Sequence, residues 1–220
     1  MSGTANLKGW AAVILSVAVA GCLLAILVTT KPAEAASRYR IVTKTFTNSS
    51  AITIPSAGVA DPYPSELLVS GLRRGSIRDV NLKLNGFGHS YPEDVNVLLV
   101  GPRGQNALVM SDVGGLQNAV SDINLTLDDA ATNPLPDHGA IAAGTYKPTK
   151  GTTAESGEGE PGPSNFDSPA PAGPYGTNLA VFNATNPNGT WELYVLDDTG
   201  AEFGQFAGGW GLTIKARVRR

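Results

Sequence analysis

Residues 77–112, IRDVNLKLNGFGHSYPEDVNVLLVGPRGQNALVMSD, restrict the fold more than any other stretch of the chain. Val80, Leu82 and Leu84 alternate with Asn81, Lys83 and Asn85, the two-residue period of a strand with one buried and one wet face. Residues 86–92, built of Gly, His, Tyr and Pro with few apolar neighbours, read as a loop. Asp94 opens a second strand, Val95 to Val100, whose nearly unbroken apolar run places it at the centre of a sheet. Gly101-Pro102-Arg103-Gly104 is a turn, because Gly supplies positive φ and Pro presets φ at the second turn position. Ala107 to Met110 returns to the sheet, and Ser111-Asp112 ends it.

The same alternation recurs along the chain. Residues 41–47 and 51–54 are rich in Thr, Ile and Val, and residues 66–70 form another short strand. Residues 113–119 are a glycine-bearing loop, after which Ile123, Leu125 and Leu127 alternate with Asn124 and Thr126. Residues 145–176 are dense in Pro, Gly, Ser and Glu and carry no apolar period, so a long loop is expected there, with Phe166 and Tyr175 able to lie on the surface of a sandwich. Regular structure resumes at residues 179–182. Trp191, Leu193 and Val195 then face one way and Glu192 and Tyr194 the other, and Trp210, Leu212 and Ile214 repeat the pattern. No helical period is sustained anywhere between residues 37 and 220. An all-β sandwich or barrel follows, with Trp191 and Trp210 as core anchors. Lys215, Arg217, Arg219 and Arg220 on the last strand read as charges that keep a sheet edge from pairing with other chains.

Two blocks of residues resemble a known family. His89, Tyr91, Asp94-Val95, Leu98-Leu99-Val100, Gly101-Pro102 and Gly104 form one. Asn188-Gly189-Thr190-Trp191-Glu192-Leu193-Tyr194-Val195, Asp197-Asp198, Gly204 and Gly209-Trp210-Gly211-Leu212-Thr213-Ile214 form the other. In this order and about a domain apart they resemble the P domain (P/Homo B domain) that follows the catalytic domain of kexin- and furin-like subtilisin-family proprotein convertases. The resemblance covers residues 46–214. It implies a jelly-roll β-sandwich of galactose-binding-like shape, a role in stabilising or regulating a protease, and calcium, which some domains of this family bind.

Residues 1–35 read as a signal peptide or N-terminal anchor, leaving residues 36–220 as one domain. Lys8 is a short basic region, residues 10–28 are uncharged and apolar, and Ala33-Glu34-Ala35 offers a cleavage site. Three readings stand: a cleaved signal, an uncleaved anchor long enough to span a bilayer, and lipidation at Cys22 within Val19-Ala20-Gly21-Cys22. All three predict a secreted or otherwise extracytoplasmic domain, touching the membrane only through residues 10–28 if these are retained. Cys22 is the chain's one cysteine, so residues 36–220 hold together without disulfides. Without Lys8, Lys31 and Glu34, 14 basic residues face 18 acidic ones, a net of −4 that argues against a nucleic-acid footprint.

Catalytic groups are scarce. His89 and His138 are the two histidines. Asp137-His138-Gly139 is similar to the His-Gly-Thr box of subtilases, but Ala140 replaces the Thr, and Gly144-Thr145-Tyr146 has Tyr where a nucleophilic Ser belongs. No Gly-x-Ser-x-Gly elbow occurs, so the expectation is a protein that is not an enzyme, with no catalytic residue assigned. Cys/His zinc spacings are absent as well. Carboxylates at strand ends include Asp122, Asp197, Asp198 and the set Asp94, Asp112, Asp128 and Asp129. Calcium takes six to eight oxygens at about 2.3–2.6 Å, which loop aspartates gathered at one end of a sandwich can supply; the competing reading is that they accept backbone N–H groups in Asx-turns. Both readings stand; the candidate calcium ligands are Asp94, Asp112, Asp128 and Asp129, and no other cofactor is expected.

Three functions remain. One is a secreted binding or adhesion module for an extracellular protein or carbohydrate, with loop aromatics Tyr63, Tyr91, Phe166 and Tyr175 as stacking surfaces. Another is an accessory partner of a subtilisin-like serine protease encoded elsewhere, since the catalytic motifs of that family are missing from these 220 residues. The last is an enzyme with an unrecognised site.

Overall fold

A computed structural model describes residues 38–115, 118–151 and 166–220. The segment expected to be a signal peptide or anchor, with Cys22, and residues 152–165 of the Pro/Gly-rich stretch lie outside the described residues. The chain begins with β1 (Tyr39–Asn48), β2 (Ile52–Ile54), β3 (Gly58–Val59) and β4 (Ser65–Val69). It continues through β5 (Ser76–His89), β6 (Val95–Val100), β7 (Asn106–Ser111) and β8 (Val120–Leu127). Two short strands, β9 (Gly144–Tyr146) and β10 (Thr149–Lys150), precede β11 (Gly189–Asp197), β12 (Gly204–Phe206) and β13 (Trp210–Arg219). Short 3-10 turns occupy Pro92–Asp94 and Leu179–Phe182.

The strands form two sheets packed face to face, an all-β sandwich. The longer strands of the first sheet lie in the order β1-β13-β5-β8, with β2 and β12 alongside the far end of β5. The second runs β4-β11-β6-β7, with β3 beside β11 and β10 beside β7. All neighbours among these eight long strands are antiparallel, and apart from the β6–β7 hairpin consecutive long strands cross between sheets, the order of a jelly roll. β9 and β10 pair in parallel with β8 and β7 respectively, so residues 144–150 strap the open edge between the sheets.

Alternation decides which side chains meet in the middle. Val80, Leu82 and Leu84 of β5 and Leu212 and Ile214 of β13 face Val95, Val97 and Leu99 of β6 and Leu193 and Val195 of β11 in one apolar cluster. Trp191 and Trp210 are fully buried in it. Each indole N–H keeps a partner, Trp191 Nε1 donating to Pro187 O and Trp210 Nε1 to Ser65 Oγ, both at 2.9 Å, so neither ring is buried with an unsatisfied donor.

β6 is buried at all six positions because its outer face is covered too. Leu98, Val100, Leu108, Tyr194 and Leu196 form a second cluster with Phe166, against which Tyr63, Ala170 and Tyr175 pack. Leu108 N donates to Gly176 O at 2.9 Å, and Tyr63 OH donates to Asp167 O at 2.9 Å. Residues 166–176 are therefore a cover that docks on the second sheet, and residues 144–150 join the sheet edges, where the sequence leads one to expect an unstructured loop. Phe166 is buried in this cover, and Tyr63 and Tyr175 pack against it half-buried.

Two further expectations change. β5 continues through residues 86–89 because Phe87–His89 pairs with β12 on one side and with the start of β8 on the other. The last strand is not an edge: β13 lies between β1 and β5, so its basic residues line an outer face and an end of the sheet.

Trp191→Ala removes the largest side chain from the centre and is expected to lower the unfolding free energy by about 3–5 kcal/mol. Equilibrium urea unfolding checks this; a loss below about 1 kcal/mol would place the indole outside the core.

Candidate functional site

Strand direction gathers several loops at one end of the sandwich. β5 and β11 finish there at His89 and Asp197, β7 finishes at Ser111, and β6 and β8 begin there. His89 and Asp197, on different sheets, bridge this end: Nε2–H donates to Asp197 Oδ2 at 3.1 Å, since a carboxylate only accepts. Nδ1 sits over the backbone of Tyr91, 2.7 Å from its carbonyl oxygen and 3.2 Å from its nitrogen. The other Asp197 oxygen accepts from Thr199 N at 3.1 Å. Gly204, opposite His89 across the β5–β12 ladder, lies so close that a Cβ there would overlap the imidazole Cδ2. His89, Asp197 and Gly204 thus form a buried clasp, and both histidine nitrogens are occupied.

Carboxylates crowd around the clasp. Asp94 is 6% exposed, and burial first, then the charges of Asp197, Asp198 and Glu93, push its carboxyl up to about 7, while His89 opposes the shift. Asp198 is also raised, by burial of its carboxyl and by Asp112 and Asp197, although much of the residue reaches solvent; hydrogen bonds from Asn96 and Thr199 pull the other way. Asn96 Nδ2 donates to Asp198 Oδ2 at 2.8 Å and to Asp94 O at 3.2 Å, while its Oδ1 is buried without a hydrogen-bond partner. Asp112 accepts from Ser111 Oγ at 2.7 Å and holds a left-handed backbone, φ 51°.

The four aspartates expected to share a metal do not lie together. Asp94 and Asp112 are at the clasp end. Asp128 and Asp129 follow the other end of β8; His89 pairs with Val120 and Leu82 with Leu127, a separation of roughly 23 Å along the strand. There Asp128 accepts from Asn81 Nδ2 at 3.0 Å and Ala130 N at 2.8 Å. Asp129 accepts from Leu179 N and Ala180 N at 3.0 and 2.8 Å, the turn-capping role open to such residues. Two pairs so far apart cannot bind one ion. Asp94, Asp112 and the free Oδ1 of Asn96 are hard oxygen donors of the kind calcium takes, but among the described residues no three His, Cys, Asp or Glu side chains converge as a metal cage.

Beside the clasp a shallow groove of about 730 Å³ opens over β5, β8 and β12. Gly86, Gly88 and Gly204 line it, with Ser121, Asp122 and Gln205 as polar neighbours. Phe203 stands at its rim, 69% exposed. Asp122 holds a left-handed backbone, φ 54°, which is uncommon outside glycine. The groove is missing from the sequence reading because Phe203 sits in a Gly/Glu-rich turn with no periodicity. Tyr91, expected as a ligand surface, lends its backbone to His89 and is half-buried, and His138 lies 3.6 Å from Asp137 at a partly exposed site.

No protein-family model matches the chain, and no curated protein matches it. Among solved structures it is similar to a chain of the crystal structure of the Aeromonas sobria serine protease (ASP) and chaperone (ORF2) complex, at 12% identity and a TM-score of 0.36. The match covers 83% of this chain and 27% of that one. A likeness of this size fixes neither family nor function.

Asp94 in the fold titrates at about 7 against an ordinary 3.8. Between those values the folded protein keeps a proton that the unfolded chain has lost, so this group's contribution makes stability fall as pH rises from about 4 to about 7. Asp94→Asn is expected to flatten that part of the profile and to raise Tm at pH 8. Calorimetry from pH 4 to 8 checks it; parallel profiles for the two proteins would contradict the placement of Asp94.

Proposed function

We propose that this protein is a non-catalytic binding module of the P-domain type, secreted or held outside the cytoplasm, which engages a protein partner at the clasp end of the sandwich. The groove beneath Phe203 carries the reading. An exposed aromatic ring beside Asp122 and Gln205 combines apolar area with hydrogen-bonding groups. The non-catalytic part rests on the histidines. A Ser–His type site needs an imidazole nitrogen free to take the nucleophile's proton; His89 has both engaged within a buried clasp, and no nucleophile segment accompanies His138.

The P-domain part is supported by where the resembling residues lie. The two blocks meet in space: His89 of the first bonds Asp197 of the second and packs on Gly204. Asn188 accepts from Leu72 N at 3.0 Å and donates to Leu72 O at 2.7 Å, pinning the loop before β5. Gly189 (φ 134°) and Gly101 lie where a Cβ would crowd Pro102 and Phe182 respectively. That co-location favours, as a second reading, an accessory role beside a subtilisin-like serine protease encoded elsewhere. Calcium belongs to the proposal only through Asp94 and Asp112 with Asn96 Oδ1, where a cation would relieve the crowded carboxylates. Millimolar calcium is then expected to raise Tm at pH 8 in the native protein and not in Asp94→Asn.

A photo-reactive amino acid at position 203, tested against secreted proteins and beside a glycan array, should yield one dominant protein adduct. The same label at Thr45, on the outer face of β1, should yield none. Phe203→Ala with Asp122→Ala should keep the melting temperature and weaken capture at least about tenfold. Equal adducts from both positions, or glycan binding without protein capture, would overturn the reading.

A further inference from the structure

The opposite end of the sandwich gathers arginines on its β1–β13 side, while Asp79, Asp128 and Asp129 lie on the β5–β8 side. β5 runs from Ser76 to His89, so its two ends are roughly 40 Å apart. At the Ser76 end, Arg217 pairs with Ser76 across one ladder and with Ile41 across the other. Arg219 N donates to Arg73 O at 3.3 Å, and Arg220 N donates to Arg38 O at 2.9 Å. Arg40 lies opposite Val218 on the same pair of strands. Arg38, Arg40, Arg73, Arg217, Arg219 and Arg220 therefore surround one end of the β1–β13 ribbon, and all six are exposed.

Neutralisation within the fold does not explain them. Among the described residues the ion pairs are His89–Asp197 and His138–Asp137, so none of the six arginines pairs with a carboxylate. Arg217 lies 4.0 Å over the ring of Tyr39, which holds its guanidinium in place without cancelling its charge. The six like charges wrap one end of the β1–β13 ribbon, Arg217 and Arg219 on its outer face and Arg40, opposite the buried Val218, on the other, and make that end a surface for an anionic partner.

The sequence favours one kind of anion. An uncharged apolar run ends at Val28, ten residues before Arg38, and ten residues of chain reach at most about 35 Å. We infer that the arginine end is a membrane-facing surface, in which Arg38, Arg40, Arg73, Arg217, Arg219 and Arg220 meet the phosphates of anionic lipid headgroups. Guanidinium groups match phosphate by paired N–H donors, and basic residues beside an apolar segment gain affinity for anionic bilayers in this way. The surface stands independently of the partner groove, and it would point the acidic clasp end away from the bilayer.

Vesicle co-flotation of the full-length chain tests it, with phosphatidylcholine alone, with about a third phosphatidylglycerol added, and with soluble polyphosphate as competitor. Phosphatidylglycerol should raise partitioning at least about tenfold, and roughly 0.5 M salt should erase the gain. Arg73→Glu with Arg219→Glu and Arg220→Glu should abolish the gain; Lys83→Glu with Arg103→Glu and Lys147→Glu, an equal charge change elsewhere, should keep it. Should the first variant lose its cooperative melt, Arg73→Gln with Arg219→Gln should still reduce the gain. Equal partitioning into both vesicles, equal losses in the two triple variants, or binding to polyphosphate with no preference for anionic vesicles would each overturn the inference.

Discussion

The contact on which the binding end depends is the buried hydrogen bond between His89 and Asp197. It joins the two sheets at the end of the apolar core, across 108 residues of sequence. Breaking a buried, hydrogen-bonded pair by removing one partner leaves a desolvated group unpaired, a loss far larger than the pair's net contribution when whole. The ends of β5 and β11 are therefore held together by what separation would cost, and the loops that continue from them inherit that constraint. Gly204 must lie against the imidazole face, which brings the turn carrying Phe203 beside the start of β8 and so shapes the groove.

Crowding is the consequence of that geometry. Closing both sheets at one end places Asp94, Asp112, Asp197 and Asp198 near one another. The fold tolerates this by distributing donors, with Asn96 serving Asp198, Ser111 serving Asp112, and Thr199 serving Asp197. Asp94 receives no such help and keeps its proton near neutral pH. At the far end arginines gather around Arg38 and Arg219 on the β1–β13 side, and Asp79, Asp128 and Asp129 lie on the β5–β8 side.

Much of this was legible in the chain and some was not. The alternation in residues 80–84, 191–195 and 210–214 reports which face each strand buries, because a sheet's side chains have a period of two whatever their partners. The continuous run Val95 to Val100 was correctly central, but its outer face is buried by Phe166, Tyr175 and Tyr63, whose recruitment depends on long-range docking. Local composition ends a strand at Gly86; tertiary pairing with β12 and β8 carries β5 to His89. Asp94 and Asp128 look alike in sequence, and only strand direction shows that they lie at opposite ends. Phe203 is an isolated aromatic in a polar turn, a pattern that carries no signal until the surface around it is known.

A double-mutant cycle on His89 and Asp197 tests the account at its centre. Unfolding free energies of the native protein, His89→Ala, Asp197→Ala and the double variant should give a coupling of about 1–3 kcal/mol, with each single variant nearly as unstable as the double. Additive effects, with a coupling within about 0.5 kcal/mol of zero, would mean that the two side chains do not hold the sheets together and that the groove and acidic pole are not built on them.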